Sequence, residues 1–410
     1  MYSVLSVCSS NAFHRVSCRL HRFSSKTNAD SSKLVMPLVL KDFCVEIIRK
    51  SGSSQEEAEI VASNLVESNL KGHDSHGVGY LPRYVRAAMD GEININGKPD
   101  IVVESNFVKV DGKVCYGQVV GLLAMEAGVR VAKDLGMSIV TIKNSHHLGR
   151  IGAWAEQAVK NKLVSIHFTN VAGHAPLVAC ENGADARLGT NPVTMGFPNN
   201  FSHANNMDGA GVDQNYTLPP IVLDFATSEL ALGKVRETWA RGEQTKDNVL
   251  LTPTGEPTND PSVMFQQPAG SLLPFCGHKG YAMALMCEMI GGVLSGGNTI
   301  HPKYPRHKER ILNSMTVILI DPARLSDDLG KIDEEILDLT EYMRDSPIRP
   351  KYDSSSESRI LIPGEIEMIN YEERNMNGIP VANGTWDDLV AVAKETGLRS
   401  IPSIAFKNKI

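Results

Sequence analysis

The feature that most constrains the fold is an alternation of helical and strand patterns that begins near Val108. Apolar residues recur at helical spacing over residues 118–135, and a compact apolar run follows at 137–142. A helical pattern at 153–159 and an apolar run at 163–168 repeat this change of period. Further short apolar runs follow, at residues 193–197, 221–223 and 315–320. This order predicts an α/β or mixed α+β domain built around a sheet.

Two adjacent histidines lie where one of these strands passes into a helix. Segment 144–152 (NSHHLGRIG) contains His146 and His147 and comes directly after the first apolar run. Backbone N–H groups at a helix start attract anions, and imidazole is the side chain best suited to proton transfer near neutral pH. A proton-transfer group beside an anion-binding helix start is what an oxidoreductase with a pyrophosphate cofactor needs.

Before the alternation, helical patterns flank a polar loop. Residues 38–50 form the first helix, and Ser54 with Glu57 makes a capping box for the second. Segment 72–77 (GHDSHG) then forms a loop rich in titratable groups. We expect a helical first domain that ends by presenting this loop.

The second half of the chain adds helices and polar segments. Residues 280–294, rich in Met, Leu and Ile, predict a largely buried helix, and helical patterns at 368–376 and 386–395 are expected to pack back on the first domain. Segments 199–219 and 353–358 are polar and predict surface loops.

Composition excludes several classes of protein. The net charge of −6 comes without any basic stripe, which argues against nucleic-acid binding. No apolar run approaches the roughly 20 residues that span a bilayer, so no membrane partner is expected. The seven cysteines include no C-x-x-C pair, which favours free thiols over a disulfide or zinc framework.

The N-terminus has a different composition. Residues 1–29 contain many serines and four basic side chains, and the first acidic residue is Asp30. This composition is typical of a mitochondrial transit peptide, and we place its end at residue 34. The alternative is a disordered tail on a cytoplasmic protein.

Neither common nucleotide fingerprint occurs. No G-x-G-x-x-G follows a strand and no G-x-x-x-x-G-K-S/T is present, so a Rossmann site and a P-loop are unsupported. The histidines at positions 73, 76, 146 and 147 could bind a metal or be structural. No carboxylate spacing completes a ligand set, so we expect no metal.

Five short motifs together resemble those of the malate/L-lactate dehydrogenase-like family. They occur in the family's order, at 72–77 (GHDSHG), 144–149 (NSHHLG), 189–192 (GTNP), 223–228 (LDFATS) and 278–281 (HKGY). The resemblance covers about residues 38–396. It implies an NAD- or NADP-dependent oxidoreductase that interconverts a 2-hydroxy acid and a 2-oxo acid.

The resemblance also implies an architecture. The fold would not be a Rossmann fold: the cofactor would lie on a mixed, largely antiparallel sheet domain, residues 108–330. A helical domain would be formed by both chain ends, residues 35–107 and 331–410. Members are usually homodimers, and the expected ligand is a small 2-hydroxy or 2-oxo acid.

Residue by residue, His147 matches the family's proton acceptor, and His76 matches a loop histidine that approaches cofactor and substrate. The remaining matches are cofactor-binding positions: Arg150, Ile151 and Gly152 at the pyrophosphate, then Asp224, Phe225, Ala226, Thr227, Ser228, Lys279, Gly364 and Glu365. Structural alternatives stay open, with Gly152 permitting close packing, Asp224 capping a helix and Lys279 simply exposed.

One position departs from the family pattern. Many members have an arginine three residues after the Ser-His-Gly turn, where it binds the substrate carboxylate, but Tyr80 stands there. The carboxylate would then bind Arg83 or Arg150, malate is a doubtful substrate, and Tyr80 could stack on an aromatic or bulky acid. Two other functions stay open: a cyclic imino acid reductase and a cofactor-binding protein without catalysis.

Overall fold

The computed structural model describes residues 32–201, 219–306, 310–349, 359–399 and 401–402. Segments 1–29 and 353–358, and most of 199–219, lie outside the described residues, together with the predictions made for them. Ser32–Val35 form a strand, so the folded chain begins before the boundary that we placed at residue 34.

Ten α-helices occur within the described residues: α1 (Pro37–Lys50), α2 (Gln55–Leu70), α3 (Leu81–Met89), α4 (Gly117–Leu135), α5 (Gly152–Lys160), α6 (Leu232–Ala240), α7 (His278–Met286), α8 (Leu329–Arg344), α9 (Glu365–Asn377) and α10 (Asn383–Glu395). The fourteen described strands are β1 (Ser32–Val35), β2 (Asp100–Glu104), β3 (Phe107–Asp111), β4 (Met137–His146), β5 (Val164–Ala172), β6 (Val178–Ala179), β7 (Ala186–Leu188), β8 (Val193–Phe197), β9 (Ile221–Phe225), β10 (Leu250–Leu251), β11 (Pro257–Thr258), β12 (Ser271–Leu272), β13 (Leu312–Ile320) and β14 (Ile379–Ala382).

The largest sheet has seven strands in the order β2-β3-β4-β13-β5-β8-β9. Only β3 and β4 pair in parallel among these described strands, and the other five pairs are antiparallel. A second sheet has the order β11-β10-β12-β6-β7 and also contains one parallel pair. These mixed sheets with their helices confirm the mixed α/β class predicted from the alternation.

Helices α4 and α5 pack on the large sheet and form its core. Val140 and Ile142 of β4, Val317 of β13 and Trp154 of α5 belong to one buried cluster. Gly128 of α4 has Val140 2.4 Å from where a Cβ would stand, so the helix lies too close to the sheet for a side chain there. This packing fixes α5, and with it the residues between β4 and α5.

A second core joins residues from both ends of the chain. It contains residues of α1, α2 and α3 together with residues of β14 and α10, and the rings of Phe43 and Trp386 lie 5.4 Å apart. Strand β1 pairs antiparallel with β14. Ser54 caps α2 by accepting from the N–H of Glu57 at 3.2 Å, as expected, but the Glu57 carboxylate binds the N–H of Asn96 instead of closing the capping box.

The prediction of a largely buried helix over 280–294 is wrong. Helix α7 passes at Cys287 into a π-helix, Cys287–Val293, and one face is open to solvent, with Val293 55% and Leu294 66% exposed. An apolar composition does not show whether its partner is the same chain or another. None of the helices in the described ranges is long and apolar enough to cross a bilayer.

Candidate active site

His147 is the first residue after β4, in a turn that the neighbouring strand fixes. The N–H of Leu148 donates to Oδ1 of Asn313, a residue of β13, at 2.8 Å. Gly149 has φ +72°, a left-handed conformation that favours glycine. The junction was predicted correctly, but the strand continues through His146 rather than ending at 142.

Three aromatic rings surround the imidazole of His147, which is only 7% exposed. The Tyr84 hydroxyl lies 2.5 Å from Nδ1 of His147, and the Tyr80 ring stacks on it with centroids 4.7 Å apart. The His76 ring stacks at 5.7 Å. The two histidines that the motifs nominated therefore lie side by side, and the Tyr80 ring neighbours both.

Burial sets the charge of these imidazoles. It lowers the pKa of His147 well below the ordinary value, and repulsion from Arg83 and from the protonated forms of His76, His146 and His174 lowers that pKa further. Burial likewise lowers the pKa of His76 to about 4. Both rings are therefore neutral near pH 7, and neutral imidazole is the form that accepts a proton.

A helix from the C-terminal part holds the turn that carries His76. Arg374 of α9 makes two bonds to the Asp74 carboxylate, of 2.7 and 3.0 Å. Asn69 of α2 donates to Asp74 at 2.6 Å and accepts from the N–H of Val78 at 2.8 Å. The 3-10 turn Asp74–His76 is thus fixed from both sides.

The start of α5 meets the end of β9. The Asp224 carboxylate accepts from the N–H of Gly152 at 2.8 Å and from Oγ1 of Thr194 at 2.8 Å. The structure thus brings Gly152 and Asp224 together, but as partners of each other. The Gly152 N–H that we assigned to a pyrophosphate already has an acceptor, because Asp224 occupies the anion position of this helix start.

Arg150, beside this contact, is 2% exposed and has unused donors. Its Nη2 donates to Glu156 at 2.7 Å, and Lys71 bonds to the same carboxylate oxygen. Its Nε and Nη1 have no partner within the described residues, and Nη1 lies 2.3 Å from where a Cβ of Gly152 would stand. Buried guanidinium donors at a helix start are suited to a phosphate, so these residues fit a dinucleotide cofactor.

The segment after Asp224 is bonded to the chain itself. The Thr227 hydroxyl donates to the carbonyl oxygens of Thr190 and Asn191, both at 3.0 Å, and the Ser228 hydroxyl donates to that of Leu230 at 2.7 Å. The Phe225 ring packs edge-on against another phenylalanine. Ala226, also in this segment, is partly exposed. A cofactor would meet the backbone here rather than the two hydroxyl groups.

Lys279 and Glu365, both nominated as cofactor-binding residues, differ in their surroundings. Lys279 is exposed in the first turn of α7. Glu365 is buried, its two oxygens bonded to Arg344 at 2.7 Å and to the N–H of Ile362 at 2.6 Å. Gly364 has φ +101° and lies against the backbone of Pro220. A ribose contact at Glu365 would require one of these bonds to be exchanged.

Several site residues escaped the sequence analysis. Tyr84 bonds to His147, Gln118 bonds to Tyr84, Arg374 holds the His76 turn, and His174 acts on the pKa of His147. The spacing of four between positions 76, 80 and 84 was a usable signal for Tyr84. No local pattern marks Arg374, because its partner is 300 positions away. Among the described residues, no three potential ligands are arranged to hold a metal.

The neutral buried ring of His147 is suited to proton transfer, and the Arg150 donors without a partner among the described residues are suited to an anion. The sequence profile of the malate/L-lactate dehydrogenase family matches residues 36–390. The chain belongs to this family, which confirms the resemblance carried by the five motifs. The family implies a nicotinamide cofactor and supports oxidoreductase chemistry on a 2-hydroxy acid.

Named relatives agree with this assignment. Hydroxycarboxylate dehydrogenase B of Escherichia coli (strain K12) is 38% identical over 382 residues, 92% of this chain and 95% of the relative. The L-lactate dehydrogenase of Cupriavidus necator is 36% identical over 339 residues, 82% of this chain and 90% of the relative. Both relatives are hydroxyacid dehydrogenases.

Solved structures share the fold. A putative malate/lactate dehydrogenase from E. coli superposes with a TM-score of 0.80 at 38% identity, covering 90% of this chain and 96% of that one. The delta1-piperideine-2-carboxylate reductase of Pseudomonas syringae has a TM-score of 0.72 at 24% identity, covering 88% of this chain and 100% of that one. The second likeness shows a common fold only.

Proposed function

We propose that this protein is an NAD(P)-dependent 2-hydroxy acid dehydrogenase in which His147 is the acid/base. The observation that carries the proposal is the environment of His147: a neutral, buried ring bonded through Nδ1 to Tyr84, with His76 and Tyr80 stacked beside it. A ring held through Nδ1 leaves Nε2 for a substrate hydroxyl.

In the oxidation direction, Nε2 of His147 takes the hydroxyl proton as the C2–O bond becomes a carbonyl. The nicotinamide, when bound, supplies the acceptor for the hydride that leaves C2. The resulting imidazolium returns its proton to water after the product leaves. Low polarity around His147 favours the return, because burial disfavours the charged ring.

The substrate carboxylate is assigned to Arg83 rather than Arg150. Arg83 is in α3, one residue before Tyr84, and its charge lowers the pKa of Tyr80, Tyr84 and His147. Arg150 is bonded to Glu156 and reaches the helix start instead. A bulky or aryl side chain on the substrate would stack on Tyr80, which supports an aromatic 2-oxo acid over oxaloacetate.

For the cofactor, the supported donors are the Arg150 guanidinium and the backbone at Ile151. The Asp224 carboxylate and the 225–228 backbone would line the same region, with His76 and Lys279 toward the nicotinamide end. Gly152 allows Arg150 and Asp224 to pack closely at this helix start, since a Cβ there would meet both. The ribose contact that the resemblance implies at Gly364 and Glu365 has less support, because both Glu365 oxygens are bonded to Arg344 and Ile362. The absence of a glycine fingerprint and the largely antiparallel sheet support a cofactor domain that is not a Rossmann fold.

We extend the proposal to assembly and location. The open apolar face of α7 and the π-helix, which includes Met289 at 47% exposure, supports a homodimer. The shared core of both chain ends supports the domain division at about 107 and 331. The composition of residues 1–29 supports mitochondrial import.

The first test is the absorbance of the reduced nicotinamide band. Protein lacking the presequence is mixed with NADH or NADPH and with phenylpyruvate, pyruvate or oxaloacetate, and separately with a cyclic imino acid. If NADH or NADPH is oxidised in the presence of phenylpyruvate, both the dehydrogenase class and the stacking role of Tyr80 are supported. If it is oxidised only with oxaloacetate, the dehydrogenase class is supported and the stacking role of Tyr80 is contradicted. If the reduced nicotinamide is oxidised only with the imino acid, the proposed reaction is contradicted.

A further inference from the structure

Two buried polar side chains form a chain that leads away from His147 on the side opposite Nε2. Tyr84 and Gln118 are both 0% exposed. The Tyr84 hydroxyl lies 2.5 Å from Nδ1 of His147, and Nε2 of Gln118 donates to the Tyr84 oxygen at 3.2 Å. Neither residue belongs to the set that the five motifs nominated.

The Tyr84 ring cannot turn away from this position. Its ring lies 5.2 Å edge-on from His146, 6.2 Å from Tyr116 and 5.8 Å from Tyr80. Its phenol stays protonated, because burial raises the pKa of Tyr84. The oxygen is therefore fixed while its proton can point either to His147 or to Gln118.

The direction of this proton decides which nitrogen of His147 is basic. A phenol oxygen has one proton to donate and can accept from its other neighbour. When Gln118 presents its N–H, as in the structure, Tyr84 donates to Nδ1 and the proton of His147 is on Nε2. When Gln118 presents its oxygen, Tyr84 donates to Gln118 and accepts from Nδ1–H, which leaves Nε2 unprotonated and ready to accept.

The carboxamide of Gln118 is suited to both arrangements. Its two ends have nearly the same shape, so half a turn exchanges donor for acceptor without repacking. Its Oε1 is buried and has no partner within the described part of the chain. A buried amide oxygen without a partner is unfavourable, and the half-turn gives it the Tyr84 proton while it moves the amide N–H groups to the position that has no partner among the described residues.

We propose that Gln118 and Tyr84 are positioning residues whose hydrogen-bond chain sets the tautomer of neutral His147, and that a half-turn of the Gln118 amide gives the tautomer in which Nε2 accepts the substrate proton. The inference rests on the proposed role of His147. Both residues act through the His147 ring, and the proton that leaves the substrate hydroxyl is held on Nε2 of His147 alone.

The kinetic test compares Tyr84→Phe and Gln118→Met with the control Tyr116→Phe. Tyr116→Phe removes another buried phenol hydroxyl next to Tyr84 and leaves the bond to His147 intact. We expect kcat for hydroxy acid oxidation to fall about 10-fold to 100-fold in the first two variants, with KM unchanged and an altered pH profile of kcat. The control keeps the wild-type profile. Equal kcat and pH profile in all three variants would overturn the proposal.

A measurement on the protein without substrate tests the hydrogen-bond chain independently of the proposed enzymatic function. The imidazole nitrogens are observed by NMR in protein with isotope-labelled histidine, and the His147 signals are identified by their loss in His147→Gln. We expect the Nδ1 signal to move in Tyr84→Phe and tautomers to mix in Gln118→Met, with no change in Tyr116→Phe. If these signals move but the wild-type protein has no dehydrogenase activity, the proposed function is overturned and the hydrogen-bond chain is supported. Unchanged signals would overturn the hydrogen-bond chain.

Discussion

Two regions of the candidate site differ in how their polar groups are bonded. In the proton-transfer region, which we define as His76, Tyr80, Tyr84 and His147, rings from separate elements meet at one imidazole. In the cofactor region, which we define as Arg150, Gly152 and residues 224–228, most polar groups already bond to other groups of the chain.

The difference shows that a shared motif gives the residue types of a site but not their bonding partners. Both regions carry the residue types of the family, yet in the second region the carboxylate and hydroxyl groups have structural partners. Arg150 differs from them, because two of its nitrogens lack a partner among the described residues. We therefore expect cofactor binding to depend on the Arg150 guanidinium and on backbone groups, and proton transfer to depend on the His147 ring.

Arg150→Met should have the largest effect among the variants that sharpen this comparison. We expect the Kd for NADH or NADPH, measured by fluorescence, to rise at least about 10-fold, as for loss of a charge-assisted bond. Lys71→Met is the matched control, because Lys71 shares Glu156 with Arg150. Equal cofactor affinity in both variants would contradict the role of Arg150.

Arg374→Leu tests whether α9 controls the proton-transfer region. It removes the paired bonds to Asp74, so we expect about 1–2 kcal/mol less stability and about a 10-fold lower kcat/KM as the His76 turn loosens. Arg86→Leu breaks a more exposed pair with Glu395 between the same parts of the chain and should change little. A similar loss of kcat/KM in the two variants would remove the special role of Arg374.

Acid should destabilise the protein through its buried imidazoles. The pKa of His146 is lowered to about 3 by burial, so below about pH 6.5 the unfolded chain binds a proton that the folded chain does not. The free energy of unfolding should then fall by about 1.4 kcal/mol per pH unit for this group. Denaturant titrations of wild type and His146→Phe at several pH values should show a flatter dependence in the variant. Parallel curves would mean that His146 is already protonated in the fold.

Glu365→Gln should have the smallest effect on the site. Its oxygens bond to Arg344 and Ile362, so we expect about 1 kcal/mol less stability with cofactor affinity unchanged. Glu372→Gln, on the exposed face of the same helix, is the control for helix effects. A weaker cofactor Kd at wild-type stability would instead support the ribose contact that the resemblance implies.

The elements with a clear period could be predicted from sequence, and the partners of side chains could not. The run at 193–197 matches β8, and the pair His76 and His147 was placed in one site by motif order. The bonds of Asp224 to Gly152 and of Arg374 to Asp74 join residues far apart in the chain. No local pattern encodes such pairs, because tertiary packing chooses them.

The wrong prediction of a buried helix over residues 280–294 has a different cause. Residues 280–294 have the composition of a buried helix, and composition reports only that a face must be covered. Leu294, at 66% exposure, is covered by nothing in the described single chain. Whether another chain covers this face is information that one copy of the sequence does not carry.

The central claim is that proton transfer and cofactor binding belong to different residues. The most direct test measures turnover and cofactor affinity on the same sample of the variant His147→Ala. We expect turnover of the 2-oxo acid to fall about a thousandfold while the Kd for the nicotinamide stays at the wild-type value, because the ring transfers the proton and Arg150 binds the phosphate. Retained turnover, or loss of cofactor binding together with activity, would contradict the separation of the two regions.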